Sequence, residues 1–97
     1  MPTPQFGRHL LSEFLLDSEV TYLNHGTVGV APKRVLAVQQ GLRDEMERMP
    51  SRFILREYSG LSGTSTLTRS RIRTAADVGA SFVGARGEEI VFVENAT

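Results

Sequence analysis

The C-terminal corner of the chain carries the residues whose types and spacing most clearly suggest chemistry. An apolar stretch, Ile90 to Val93, runs into the small, polar corner Asn95-Ala96-Thr97. α/β proteins bring free backbone N–H groups to a phosphate in this way, where a buried strand turns into the next helix. The pattern predicts half of a phosphate-binding site, although the same three residues are also typical of a simple helix cap.

A second group of candidates lies nearer the N-terminus, in the loop Asn24-His25-Gly26. Glycine lets the backbone come close to a ligand carboxylate, and an imidazole can donate a hydrogen bond or transfer a proton. The alternative is a turn in which Asn24 and His25 bond only to nearby backbone. We expect the loop to lie near a substrate, and we assign no acid–base role to His25.

Arg52 is a candidate for binding a substrate carboxylate. Its planar guanidinium can donate two parallel hydrogen bonds to the two carboxylate oxygens. An ion pair with Glu45 or Glu57 is at least as compatible with the sequence. Both interpretations of Arg52 stay open at this point.

Composition limits the partners and the compartment. The 97 residues include 11 basic and 11 acidic side chains and no cysteine, so there is no general attraction to nucleic acid or membrane and no disulfide. No apolar run approaches the roughly 20 residues of a membrane span, and no signal segment opens the chain. We expect a cytoplasmic protein whose partner is a small molecule or another chain. Three arginines should form a solvated helix face: Arg69, Arg71 and Arg73.

Hydrophobic periodicity predicts the elements of the first third of the chain. Apolar residues from Leu10 to Leu15 suit a short helix that ends near Asp17. Residues 20–23 are β-branched or aromatic and predict a brief strand. Residues 24–31 then form a loop that leads directly into a helix.

The longest predicted helix has Pro32 at its first position and ends at Pro50. Ser51 is a candidate cap for a second, shorter helix. Residues 59–68 are rich in Gly, Ser and Thr and predict a flexible connector. Apolar residues recur every three or four positions along this predicted helix and form an apolar stripe: Val35, Val38, Leu42, Met46 and Met49.

The last third predicts a helix from about Thr68 that Gly84 ends in a left-handed conformation. Its packed face should include six residues: Ile72, Ala75, Ala76, Gly79, Phe82 and Val83. The strand Ile90 to Val93 that follows is apolar on both faces, as in a parallel sheet covered on both sides. Two short strands do not make a stable sheet, so we expect an α/β fold, helix-rich with short strands and an incomplete sheet.

Three segments together resemble one family. They are Leu15 to Pro32 with its Asn-His-Gly loop, Arg43 to Tyr58, and Phe82 to Thr97. They resemble the N-terminal part of class V aminotransferase-fold enzymes, in particular the isopenicillin-N epimerase-like branch. The resemblance covers nearly all of this chain and only the first part of the family's length.

The resemblance implies a pyridoxal 5′-phosphate (PLP) enzyme of fold type I that acts on an amino acid and is usually a homodimer. It implies that Ala96 and Thr97 contact the cofactor phosphate, and that Asn24, His25, Gly26 and Arg52 lie on the substrate side. Residues 1–31 then form an N-terminal helix, strand and substrate-side loop. Residues 32–97 form the helices and first core strand of the large PLP-binding domain.

The resemblance also implies that the catalytic machinery is incomplete here. PLP chemistry needs a lysine to hold the cofactor, and the chain's one lysine, Lys33, lies in the wrong place by family comparison. We therefore expect these 97 residues alone not to be a complete catalyst. Epimerase, aminotransferase and lyase chemistry are not distinguished, and a cysteine desulfurase or selenocysteine lyase-like enzyme is an alternative. A non-catalytic helical interaction module, docking through the Val35 to Met49 stripe, is another.

Overall fold

The chain folds as two compact units, Met1–Arg43 and Asp44–Thr97, in a computed structural model that describes residues 3, 5–59 and 69–96. The predicted connector at 59–68 lies outside the described residues, apart from Ser59. The elements follow in this order: a 3₁₀ helix (Arg8–Glu13), α1 (Lys33–Arg48), a π-helix (Arg52–Tyr58), α2 (Arg71–Val83) and a 3₁₀ turn (Gly87–Glu89).

The predicted helix-rich character is confirmed, but neither predicted strand forms within the described ranges. Residues 20–23 and 91–93 have no regular structure there. A strand exists through hydrogen bonds to a neighbour, and the described residues provide no strand beside either segment. Ile90 nevertheless has extended backbone angles, with φ −112° and ψ 134°, so this segment begins in a strand-like conformation without a sheet.

In the first unit the predicted helix is shorter and tighter than expected. It is a 3₁₀ helix that stops at Glu13, because Phe14 already has extended angles of φ −124° and ψ 159°. Helices of this type are short because their hydrogen-bond geometry is poorer than that of an α-helix. Leu15, placed on the helix by its spacing, lies outside it and is 73% exposed.

Helix α1 begins and ends close to the predicted prolines. It starts at Lys33, one residue later than predicted, and the carbonyl of Pro32 accepts bonds from the N–H groups of Val35 and Leu36 at 3.0 and 3.1 Å. It ends at Arg48, ahead of Pro50, whose ring does not fit inside a helix. With 16 residues it is too short for a membrane span, and no other helix among the described residues is long and apolar enough for one.

The helix after Pro50 differs from the prediction in two ways. Residues 52–58 form a π-helix, in which each N–H reaches the carbonyl five residues back. Ser51 is itself helical, with φ −64° and ψ −43°, and its side chain makes no cap bond. Residues five apart therefore become neighbours along this helix.

Helix α2 ends as the sequence predicts. Gly84 adopts the left-handed conformation, φ 75° and ψ 25°, which glycine enters without a steric penalty. The N–H of the next residue, Ala85, donates to the carbonyl of Ala80 at 2.8 Å. This bond is typical of the Schellman motif and satisfies a carbonyl that the helix end leaves without a partner.

The packed centre of the second unit consists of small side chains. Ala76 and Ala80 are 0% and 1% exposed, and α2 packs there against the turn Gly87–Glu89. We predicted Phe82 on this face, but it is 92% exposed. The chain changes direction at Gly84, and the turn that then packs against α2 is too short to cover Phe82. Two buried alanines contribute only about 1–2 kcal/mol, so polar contacts carry much of the packing.

Arg73 supplies part of that polar packing. It is half-buried and donates from Nη1 to the carbonyl of Ile90 at 3.0 Å, and from Nη2 to the carbonyl of Gly87. Arg69 forms a bidentate ion pair with Asp77, in which Nε donates to Oδ2 at 2.7 Å and Nη2 donates to Oδ1 at 2.8 Å. Arg69 is thus exposed as predicted, although it lies before the first residue of α2, whereas Arg71 and Arg73 are half-buried and do not form a solvated face.

We expect Gly87→Ala to lower the free energy of unfolding by about 1–3 kcal/mol. A Cβ at Gly87 would overlap the carboxylate of Asp77 and lie only 3.2 Å from its Cα, so the turn would have to move away from α2. Urea unfolding followed by circular dichroism measures the change.

Gly79→Ala is the matched control, because a Cβ there meets nothing within 4 Å. This change should raise the free energy of unfolding by up to about 1 kcal/mol, since alanine favours a helix over glycine. Equal effects of the two substitutions would show that the turn does not pack closely on α2.

Candidate functional site

The predicted substrate-side residues Asn24, His25 and Gly26 lie together in an exposed turn of the first unit. The carbonyl of Asn24 accepts bonds from the N–H groups of Thr27 and Val28, at 3.3 and 3.1 Å. Gly29 follows closely, since a Cβ on it would lie 3.3 Å from the carbonyl of His25. The loop is thus closed by its own backbone, and its side chains are exposed to solvent.

The side chain of Tyr22 stabilises this turn. Its hydroxyl donates to the carbonyl of Val28 at 2.5 Å, and its ring meets the ring of His25 edge to face, with centroids 4.9 Å apart. Such pairs contribute about 0.5–1.5 kcal/mol beyond the area they bury. The imidazole is therefore oriented by an aromatic neighbour, and it lines a cavity that the 3₁₀ helix also lines.

Arg52, the predicted carboxylate-binding residue, lies at the start of the π-helix and already has a carboxylate partner. Its Nε donates to Oε1 of Glu57 at 2.6 Å. In an α-helix, at 100° per residue, positions five apart point about 140° away from each other. The π-helical geometry removes that separation and makes the pair possible.

Glu57 is the one buried charged side chain among the described residues, at 4% exposure. Its second oxygen accepts from Arg71 of α2, at 3.2 Å from Nε and 3.0 Å from Nη2. Arg71 also donates to Glu45 of α1 at 2.6 Å, and its guanidinium carbon lies 4.9 Å from the centroid of the Phe53 ring. We call Glu45, Arg52, Phe53, Glu57 and Arg71 the Glu57 cluster.

The sequence does not identify Arg71 as a partner of Glu45 or Glu57. Its partners are 14 and 26 residues away, whereas pattern rules pair charges three or four apart on one helix. Those rules pair Arg73 with Asp77, yet the structure pairs Asp77 with Arg69. No local signal in the sequence identifies Arg71 as the bridge.

The electrostatics of the cluster favour the charged form of Glu57. The hydrogen bond from Arg52, and then that from Arg71, hold the pKa of Glu57 below its ordinary value of 4.5. Desolvation by itself would lower the pKa of Arg71, but the bonds to Glu57 and Glu45 outweigh it and raise that pKa. Both groups remain charged at neutral pH.

The predicted phosphate corner is only partly within the described residues. Ala96 is exposed, and Thr97 lies outside them. Residues 94–96 have no regular secondary structure. Lys33 is exposed at the first position of α1.

The structure brings the three loop residues together and joins Arg52 to Glu57. The loop belongs to the first unit, and Arg52 and Ala96 belong to the second. Within the described residues, no group of three or more His, Asp or Glu side chains is arranged to hold a metal ion.

We expect Glu57→Gln to lower the urea midpoint of unfolding at neutral pH. The substitution removes the charge that both Arg52 and Arg71 bind. Because the folded pKa of Glu57 is depressed, its stabilising effect is complete above pH 4.5 and is lost as the pH falls through the folded value. The difference between wild type and variant should therefore shrink at acid pH, which unfolding curves across a pH series measure.

Glu47→Gln is the control for this series, since Glu47 is exposed on α1. It should change the midpoint little at any pH. A difference for Glu57→Gln that stays constant down to the lowest pH would contradict a role for the ionised carboxylate.

Comparison with known proteins adds no assignment. No protein-family model, curated protein or solved structure matches the chain. Inference about function therefore depends on the chain's own residues and their arrangement.

Proposed function

We propose that this chain is the N-terminal portion of a PLP-dependent enzyme of fold type I, acting on an amino acid. The proposal rests on the resemblance of the Asn-His-Gly loop and the Asn-Ala-Thr corner to class V aminotransferase-fold enzymes. The 97 residues contribute the first part of the cofactor domain and are not catalytic alone. Further protein, and in the family's usual form a second subunit, completes the site.

The structural feature that best supports the proposal is the apolar segment at residues 91–93. The segment after the turn Gly87–Glu89 begins extended and exposes consecutive apolar side chains: Val91 is 73%, Phe92 54% and Val93 73% exposed. Successive side chains of an extended segment point to opposite faces, so both faces are apolar and uncovered. A strand from the middle of a parallel sheet has this character once its neighbours are removed.

The proposal gives each candidate residue a distinct role. Ala96 and Thr97 bind the cofactor phosphate, through backbone N–H groups and a hydroxyl. Asn24, His25 and Gly26 form the substrate-side loop. Arg52 binds a substrate carboxylate only if that carboxylate displaces Glu57 from its Nε, so its role requires a change in the Glu57 cluster.

Reaction specificity remains open within the proposal. Epimerisation, transamination and lyase chemistry all begin with loss of a proton or group next to the cofactor's carbon–nitrogen bond. A cysteine desulfurase or selenocysteine lyase-like enzyme is the nearest alternative. The residues that separate these reactions belong to the family's downstream part.

The first test is to read the coding sequence past Thr97 and to express the longest chain that it encodes. We expect that chain to bind PLP with lysine-linked visible absorbance, and the 97-residue chain not to. Thr97→Val should weaken PLP binding at least about tenfold, because it removes a charge-assisted hydrogen bond of about 1.5–3 kcal/mol. Absorbance titration measures both.

Pyridoxal, which lacks the phosphate, is the control ligand. Its affinity should not change in Thr97→Val, and the exposed Thr21→Val should alter neither ligand. A stop codon directly after Thr97, or a longer product that does not bind PLP, would overturn the proposal.

A second candidate function is supported by a different surface. Helix α1 has no buried residue, and three positions of its apolar stripe are at least 40% exposed: Val35, Val38 and Leu42. An uncovered stripe of this kind suits a helix that docks into a partner's groove. The chain would then be a non-catalytic interaction module.

Solution behaviour separates the two functions. On the leading proposal we expect the 97-residue chain to self-associate through residues 91–93, and Phe92→Lys to reduce that association. Val38→Lys, the matched change on α1, should have little effect. Size-exclusion chromatography with light scattering measures the distribution of masses.

The opposite pattern would favour the interaction module. A chain that is folded and monodisperse without any substitution, or one whose association responds to Val38→Lys alone, would contradict the role proposed for residues 91–93. Both substituted side chains are more than half exposed, so neither change disturbs a packed core.

A further inference from the structure

The first unit contains a cavity of about 300 Å³ that shares only His25 with the sites proposed above. The 3₁₀ helix forms one side, and the residues up to the Asn24 turn and beyond form the rest. Its walls are largely aliphatic and aromatic. The apolar lining consists of six residues: Leu10, Leu11, Phe14, Leu16, Val20 and Val30.

The polar groups at this cavity are few and do not include an acid. Arg8, Thr21, Tyr22 and His25 line it, and among the described residues of the lining there is no aspartate or glutamate. Arg8 donates from Nη2 to the carbonyl of Ser18 at 3.3 Å, which uses one of the five donors of a guanidinium. The cavity thus combines a mainly apolar lining with one arginine.

The volume of the cavity and the charge of Arg8 together limit which ligands fit. A volume of 300 Å³ equals roughly ten water molecules in the liquid and lies at the lower end of small-molecule sites. An inorganic anion would leave the apolar walls uncovered, and a neutral hydrocarbon would leave Arg8 without a ligand contact. We propose that this cavity binds a small organic carboxylate with an apolar body, its carboxylate on Arg8 and its body against Leu11 and Phe14.

The site is built entirely from residues of the first unit. It therefore does not depend on PLP or on the proposed function. Binding measured in the 97-residue chain without PLP tests it separately, because failure of the cofactor assignment leaves this measurement unaffected.

Equilibrium dialysis against radiolabelled phenylacetate, with phenylacetamide as the neutral probe, tests the proposal. We expect saturable binding of phenylacetate and weaker binding of phenylacetamide. Arg8→Gln should lower phenylacetate affinity by about two- to fivefold, the range of an exposed ion pair, and leave phenylacetamide affinity unchanged. Arg8→Lys keeps the charge and should retain most of the affinity.

Three further substitutions locate the site. Val30→Trp fills the cavity and should weaken both probes, whereas Val28→Trp, outside the lining, should weaken neither. Arg34→Gln removes an exposed charge on α1 and should have no effect. Equal affinity for the two probes, equal effects of Arg8→Gln and Arg34→Gln, or no saturable binding would each overturn the proposal.

Discussion

The second unit depends on satisfying one buried charge. Glu57 is nearly inaccessible to solvent, and a carboxylate removed from water is costly unless it is paired and hydrogen-bonded. Arg52 and Arg71 supply those bonds from the π-helix and from α2. Because Arg71 also reaches Glu45, the same cluster links the end of α1 to both later helices. Removing one partner leaves a charge without its compensation, so the geometry of three elements is coupled through this cluster.

The Glu57 cluster is important for the stability of the second unit because the apolar core is small. Ala76 and Ala80 are the only buried hydrophobic residues in the described part of the chain, while Phe82 and residues 91–93 remain exposed. Exposed apolar surface of this extent usually marks a place where other protein packs. The proposed enzyme portion and the proposed interaction module both account for it, and they differ in which surface is covered. The cavity beside Arg8 is a separate feature, since all the residues that line it belong to the first unit.

Several features of fold and site were predictable because their causes are local. Pro32 and Pro50 bracket α1 since proline lacks an N–H and has a fixed φ. Gly84 ends α2 because glycine enters the left-handed region freely. The turn at Asn24 follows from the same kind of short-range chemistry. The predicted strands failed for the opposite reason: a strand needs hydrogen bonds from a neighbour, and residues 20–23 and 91–93 find none in the described chain.

The sequence by itself determined where α1 begins and ends to within two residues, where α2 ends, the balance of charge, and the candidate residues of the Asn24 loop and the C-terminal corner. Each of these depends on residues a few positions apart. Only the tertiary structure decided what those side chains contact. It paired Arg52 with Glu57 through a π-helix, made Arg71 a bridge and directed Arg73 to the carbonyls of Gly87 and Ile90. The physical reason is that a charged side chain takes the partner that packing brings closest, and packing joins residues 14 to 26 positions apart that no local pattern connects.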